Sequence, residues 1–168
     1  MAEDDRVESG GQPATTATDH PGVIVFPPLL MVGQMVLGGI LHWLRPISLL
    51  PPIPARVTGV VLCGLSLWLA RSAKVVMHRV GTNVRPDRPT TALALEGPYK
   101  RTRNPLYIAG MGVCLGVSFL VNGLWSLLLM MPLALVVHFG VVLREERYLT
   151  AKFGDSYRAF LARVPRWL

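Results

Sequence analysis

The sequence predicts an all-α integral membrane protein with about four transmembrane helices and a C-terminal interfacial helix. Hydrophobic residues make up 51% of the chain and charged residues only 16%, well below the roughly 25% typical of soluble domains. The mean hydropathy of +0.43 points the same way. The apolar residues are also gathered into four long runs, which is the pattern of membrane-spanning helices.

Each apolar run is a candidate span. Residues 23–44 carry no formal charge when their histidine is neutral, and this run is long enough to cross about 30 Å of hydrocarbon. A proline-rich connector separates it from a second span at residues 57–77. The third and fourth spans are predicted at residues 105–121 and 124–143. Because so few residues separate these two, we expect a tight antiparallel hairpin that turns at Asn122.

The length of 168 residues suits one domain, which we place at residues 22–168. Residues 1–21 are polar and acidic and lack the basic start and apolar centre of a signal peptide, so they are predicted to be a disordered tail. Residues 144–168 should form a cytoplasmic helical segment with Gly154 as a helix stop. Its apolar stripe beside a basic face fits an interfacial helix, or equally a cover over a site. The stripe is formed by Phe160, Leu161, Val164 and Trp167.

Basic residues are concentrated on one side of this predicted topology. Residues 71–103 hold eight Lys or Arg and residues 144–168 hold six, out of seventeen in the chain. With four spans, these segments and both termini lie on the same side, and the positive-inside rule makes that side cytoplasmic. The net charge of +7 then needs no nucleic acid as a partner, and the sequence carries no zinc-finger or RNA-binding signature.

Polar residues crowd the cytoplasmic mouth of the predicted hairpin. Asn104 and Pro105 are favourable N-cap and first-turn residues, so the third span should begin there. Equal rise along both helices from the turn brings "GPYKRTRNPLY" opposite "HFGVVLREE", with Tyr107 close to His138. Ionisable groups at a membrane interface are candidates for function. The candidate site residues are Tyr99, Arg103, Asn104, Pro105, Tyr107, Gly110, His138, Glu145 and Glu146.

Taken singly, these residues also fit structural roles. The "REER" run can be an exposed helix turn held by ion pairs, and His138 can be a hydrogen bonder between packed helices. Arg103 can anchor the interface, and the glycines can serve close helix packing. Regular helical spacing places His138 on the same face as Glu145 or Glu146. The convergence of these groups at one end of one hairpin favours a functional site.

The order and spacing of the motifs resemble those of the isoprenylcysteine carboxyl methyltransferase and phospholipid methyltransferase superfamily. "GPYKRTRNPLYIAG", a helical hairpin and "REERYLTAKFGDSYRAFLARVPRWL" follow its pattern over residues 97–168. Asn104 stands where many members carry histidine. Asparagine can form hydrogen bonds but cannot carry a proton near neutral pH.

The resemblance implies methyl transfer from S-adenosylmethionine to a lipophilic acceptor, with no metal. It assigns catalytic roles to Arg103 and Asn104, and Arg103 would pair with the carboxylate of the cofactor. Glu145 and Glu146 would pair with its cationic groups, and Tyr107 would face the sulfonium. Both glutamates are expected to be in reach of solvent, so their neutralisation should weaken binding more than folding. Other predicted cofactor contacts are Tyr99, Pro105, Gly110 and His138.

The methyl acceptor stays open among an isoprenylcysteine carboxylate, a phospholipid amine and another hydrophobic small molecule. The resemblance to bacterial members implies a bacterial inner or plasma membrane, with the lipid bilayer as a partner. Two other classes of function also remain open at this point. One is a non-catalytic membrane scaffold of the same fold, and the other is a small four-helix transporter subunit, which would need charged residues nearer the midplane.

Overall fold

The computed structural model describes residues 26–83 and 90–168. Within these ranges the chain is helical apart from turns, connectors and one isolated β-bridge between Ser48 and Gly123. The predicted disordered tail at residues 1–21 lies outside the described residues.

The first two helices each begin at a proline-containing turn. Helix α1 spans Pro27–Leu44, and helix α2 spans Pro52–Arg79. Proline suits the first helical turn, because its missing N–H would have no partner inside the helix. For this reason α2 begins within the proline-rich stretch and not at residue 57 as predicted. Its 28 residues give a length of about 42 Å, longer than the hydrocarbon core of about 30 Å, so α2 extends beyond the apolar layer.

Helix α3 spans Pro105–Leu120 and begins at the predicted position. The tight hairpin turn that follows it is also confirmed: Asn122 has a φ of 53°, in the left-handed region that asparagine tolerates. Its side-chain oxygen accepts hydrogen bonds from the amides of Leu49 and Leu50 at 3.0 and 3.1 Å. Its Nδ2 donates to the Leu50 carbonyl at 2.7 Å. Asn122 therefore ties the hairpin turn to the α1–α2 connector.

The fourth span is divided into several pieces. Helix α4 spans Leu124–Leu128 and helix α5 spans Met130–Val136. A π-helical turn at Val137–Val142 follows and leads into helix α6, Leu143–Arg163. The backbone breaks from helical geometry at Gly154, where φ is 54°, so the predicted interruption there is confirmed.

Within the described residues, three helical stretches are long and apolar enough to cross a membrane: α1, α2 and the run Leu124–Arg163. The α3 helix is a shorter apolar helix. Large side chains such as Leu67 and Trp68 are more than half exposed, as expected of surfaces that contact lipid. The predicted all-α membrane fold is confirmed for the described part of the chain.

The second half of α6 packs on the protein. Phe160 and Val164, two members of the predicted apolar stripe, are 6% and 8% exposed. They join a buried cluster with Val76 of α2, Tyr99 and Tyr157. Of the two predicted roles for this segment, this burial favours a cover on a site and not a simple anchor on the membrane surface.

Helices α2 and α3 approach each other closely at two glycines. We expect Gly116→Ala to destabilise the fold by about 1–3 kcal/mol, since overpacking forces the backbone to move. An added Cβ would lie 3.0 Å from both the Cys63 nitrogen and the Gly59 oxygen, which are backbone atoms. Gly64→Ala is the control, because nothing lies within 4 Å of the Cβ added there. Thermal unfolding in detergent measures both variants, and equal melting temperatures would contradict the prediction.

Candidate active site

A cavity of about 390 Å³ lies where the start of α1, the end of α2, the start of α3 and α6 come together. This volume falls within the range of roughly 300–1,000 Å³ found for small-molecule sites. Apolar side chains such as Pro27, Met31 and Val113 form one part of its wall. Most of the predicted site residues also line it: Tyr99, Arg103, Asn104, Pro105, Tyr107, Gly110 and Glu145.

Glu146 is enclosed by two guanidinium groups. Arg103 Nη1 donates to Glu146 Oε1 at 2.7 Å. Arg166 donates from Nε to Oε1 at 3.0 Å and from Nη2 to Oε2 at 2.8 Å. Glu146 is only 9% exposed. The expectation that solvent reaches this carboxylate is therefore wrong, because Glu146 is buried and paired with Arg103 and Arg166.

Glu145 has a different environment, although it is the neighbouring residue. It lines the cavity, and Tyr107 Oη donates to its Oε2 at 2.9 Å. Among the described residues, no lysine, arginine or histidine forms an ion pair with it. Consecutive side chains on an α-helix point about 100° apart, so one glutamate can face the cavity while the other faces the arginines. A carboxylate in this position favours a cationic ligand.

Arg103 links the cavity to the ion-pair cluster. Its Nε donates to the Val164 carbonyl at 2.8 Å, and its Nη1 donates to Glu146. Its Nη2 makes no hydrogen bond to a described residue, while the side chain lines the cavity. The free edge of the guanidinium can therefore donate to an anionic group of a ligand.

Asn104 occupies the N-cap position of α3, but its side chain makes no capping hydrogen bond. Its Nδ2 instead donates to the Arg166 carbonyl at 2.9 Å. A histidine N–H could make a similar donation. Asparagine can thus replace histidine in this contact, since holding a carbonyl requires a donor and no proton transfer.

Tyr99 is a buried phenol in a 3₁₀ turn, Gly97–Lys100, that precedes α3. Burial, and second the charge of Glu145, raise the pKa of the Tyr99 phenol above its ordinary value. It therefore remains protonated at neutral pH. Its ring adds an aromatic surface to the cavity, which suits a cationic or planar ligand.

His138 does not line the cavity. Trp167 Nε1 donates to His138 Nδ1 at 3.3 Å, and the two ring centroids are 5.9 Å apart. The prediction that Tyr107 faces His138 is wrong, because the Tyr107 hydroxyl binds Glu145. The π-helical turn explains the error. Its wider turn shifts the helix face between His138 and Glu145, whereas the prediction assumed regular α-helical spacing.

Several site residues were missed from the sequence. Arg166 belongs to the matched C-terminal motif but was read only as part of a basic face. The contribution of α1 to the cavity has no local signature, because its apolar residues equally suit contact with lipid. Tyr157 also lines the cavity, and its place in "FGDSYRAF" was the available signal.

Comparison with known proteins gives an independent result. The family model for phospholipid methyltransferases matches residues 54–156, which is more than half of the chain. A protein of Haemophilus influenzae, described as an uncharacterized protein, is 50% identical over 34 residues. These residues are 20% of this chain and 54% of that protein, so the match spans about half the length of the relative. No solved structure matches the chain.

Proposed function

Because the chain belongs to the phospholipid methyltransferase family of membrane methyltransferases, we propose that it uses S-adenosylmethionine to methylate a lipophilic acceptor. The observation that carries this proposal is the cavity-lining carboxylate of Glu145. A half-buried carboxylate with no cation partner among the described residues is well suited to a cationic ligand.

The residues around the cavity fit this cofactor. S-adenosylmethionine carries a sulfonium, an ammonium, a carboxylate and an adenine ring, and when bound it supplies an electrophilic methyl group. Glu145 would hold a cationic part, and Arg103 Nη2 would donate to the carboxylate. Tyr99 and Tyr107 would contribute aromatic surface. Glu146 would have no direct role in this proposal, because it is buried and both of its oxygens accept hydrogen bonds from arginines.

The apolar wall supports a lipophilic acceptor. Pro27, Met31 and Val113 place hydrophobic surface beside the polar groups of the same cavity. Methyl transfer is an in-line displacement, so holding the two reactants in register supplies much of the rate. An isoprenylcysteine carboxylate, a phospholipid amine and another hydrophobic small molecule are the candidate acceptors.

The membrane orientation is also part of the proposal. The cavity lies at the end of the helices where α2 ends and α3 begins, within the cation-rich segments of the chain. The positive-inside rule places that end in the cytoplasm, where a water-soluble cofactor is available. A transporter subunit would have its ionisable groups nearer the midplane, and a scaffold gives no reason for a cavity-lining carboxylate such as Glu145.

Arg103→Lys tests the proposed cofactor site. We expect labelled methyl transfer into extracted lipid to fall at least tenfold, or about 1.4 kcal/mol in transition-state stabilisation. Lysine keeps the charge but lacks the planar set of donors that contacts Val164, Glu146 and the cavity together. Arg101→Lys is the matched control, because Arg101 is exposed two residues away. Unchanged transfer by Arg103→Lys would leave Arg103 with a structural role in the ion-pair cluster and none at the cofactor.

A further inference from the structure

Residues 164–167, which we call the strap, follow α6 and lie against residues 102–104, which lead into α3. Three successive strap carbonyls accept hydrogen bonds from the segment that leads into α3. The Val164 carbonyl accepts from Arg103 Nε at 2.8 Å, and the Pro165 carbonyl accepts from the Arg103 amide at 3.0 Å. The Arg166 carbonyl accepts from Thr102 Oγ1 at 3.1 Å and from Asn104 Nδ2 at 2.9 Å.

The strap side chains reach the other helix. The Arg166 guanidinium contacts both oxygens of Glu146 on α6, and Trp167 donates to His138 in the π-helical turn. Arg166 does not line the cavity, so it would not contact a ligand there directly. Arg103 does line the cavity and shares Glu146 Oε1 with Arg166.

We propose that Arg166 is a positioning residue of the cofactor site. Arg166 binds both oxygens of Glu146, so that one edge of the Arg103 guanidinium stays free for the carboxylate of the ligand. This inference rests on the proposed function. An arginine that faces an unoccupied carboxylate tends to pair through two parallel N–H groups. With Oε2 bound by Arg166, Arg103 makes only the Nη1 contact to Glu146, and Nη2 remains available.

The charge of the cluster supports the same role. Two guanidinium groups and one carboxylate leave a net charge of about +1 beside the cavity, whereas Arg103 and Glu146 alone would be neutral. Arg166 thus gives this side of the site its attraction for an anion. Glu145 lines the same cavity as Arg103 and supplies the opposite charge, so the cavity suits a ligand that carries both signs.

The test compares S-adenosylmethionine with its decarboxylated analogue, which lacks only the carboxylate. Binding of each labelled compound to the full detergent-purified chain is measured for the parent, Arg166→Gln and Arg166→Lys. We expect Arg166→Gln to weaken S-adenosylmethionine binding about tenfold or more, with little change for the analogue. Arg166→Lys should lose part of that affinity, because it keeps the charge but not the two-pronged contact.

The control is Arg163→Gln, since Arg163 is exposed and its Nε donates to Ala159 of its own helix. A parent that binds neither compound would overturn the proposed function itself. A parent that binds both, with an Arg166→Gln variant that loses both equally or loses neither, would overturn the positioning role. If Arg166→Gln does not fold, the same comparison is made with Arg166→Lys, and equal losses for the two compounds again reject the inference.

Discussion

Glu146→Gln is expected to destabilise the protein by about 2–3 kcal/mol. The substitution removes the charge that both Arg103 and Arg166 contact and leaves two guanidinium groups close together. Breaking a fully buried pair costs about 3–5 kcal/mol, and we expect less here because the Arg166 side chain is 35% exposed. Thermal unfolding in detergent, followed by tryptophan fluorescence and helical circular dichroism, measures the loss.

Asp155→Asn is the matched control for this prediction. It also removes the carboxylate of an ion pair in α6, but Asp155 and Arg158 are 96% and 66% exposed. Exposed pairs contribute little, so the control should change stability by less than about 1 kcal/mol. If Glu146→Gln unfolds at the same temperature as this control, the two-arginine cluster does not hold α3 and α6 together.

Glu145→Gln should behave in the opposite way, although it changes the adjacent residue. We expect S-adenosylmethionine affinity to fall about tenfold to a hundredfold, as for the loss of a charged hydrogen bond. Stability should be unchanged or slightly higher, because the carboxylate has no cation partner among the described residues and its burial is unfavourable. Equilibrium binding of the labelled cofactor and thermal unfolding are measured on the same preparation.

Tyr107→Phe separates charge from hydrogen bonding at this position. It removes the phenol that donates to Glu145 but leaves the carboxylate in the cavity, so the loss of affinity should be smaller than for Glu145→Gln. A Glu145→Gln variant that binds the cofactor like the parent but unfolds earlier would make Glu145 a structural residue.

Local rules were enough to predict much of the fold. Pro105 marks the start of α3 because proline suits the first helical turn, although the Asn104 side chain at the N-cap position forms no capping hydrogen bond. Asn122 marks the hairpin turn because asparagine tolerates the left-handed backbone that a tight turn requires. Equal helical rise brought the two helix mouths together but misplaced their register, because it set Tyr107 level with Val137, about two turns before its partner Glu145.

The rest depended on contacts that leave no local pattern. The strap hydrogen bonds from Thr102, Arg103 and Asn104 join residues 61 to 64 positions apart. Nothing in the spacing of "REER" distinguishes Glu145 from Glu146, because their roles depend on which one the arginines meet. The π-helical turn that includes His138 has no local sequence pattern that predicts it either.

Helix α1 is held by hydrogen bonds just beyond its Leu44 end. There Trp125 Nε1 donates to the Arg45 carbonyl at 2.7 Å, and the Leu124 amide donates to the Ile47 carbonyl at 3.0 Å. Near its middle, Gln34 Nε2 donates to the Ser126 carbonyl at 2.7 Å. The Pro27 end meets the cavity through apolar side chains.

Such a helix can tilt about the Gln34 contact. Pro27 lies about 10 Å along α1 from Gln34, so a tilt of about 5° there moves the Pro27 end by about 1 Å. An apolar contact loses a quarter to a half of its attraction when a gap of about 0.5–1 Å opens. This displacement is therefore enough to separate the start of α1 from the other side chains that line the cavity. Lateral admission of the proposed acceptor from the bilayer would therefore need only a small rotation of one helix, and the Arg103–Glu146–Arg166 cluster would remain assembled throughout.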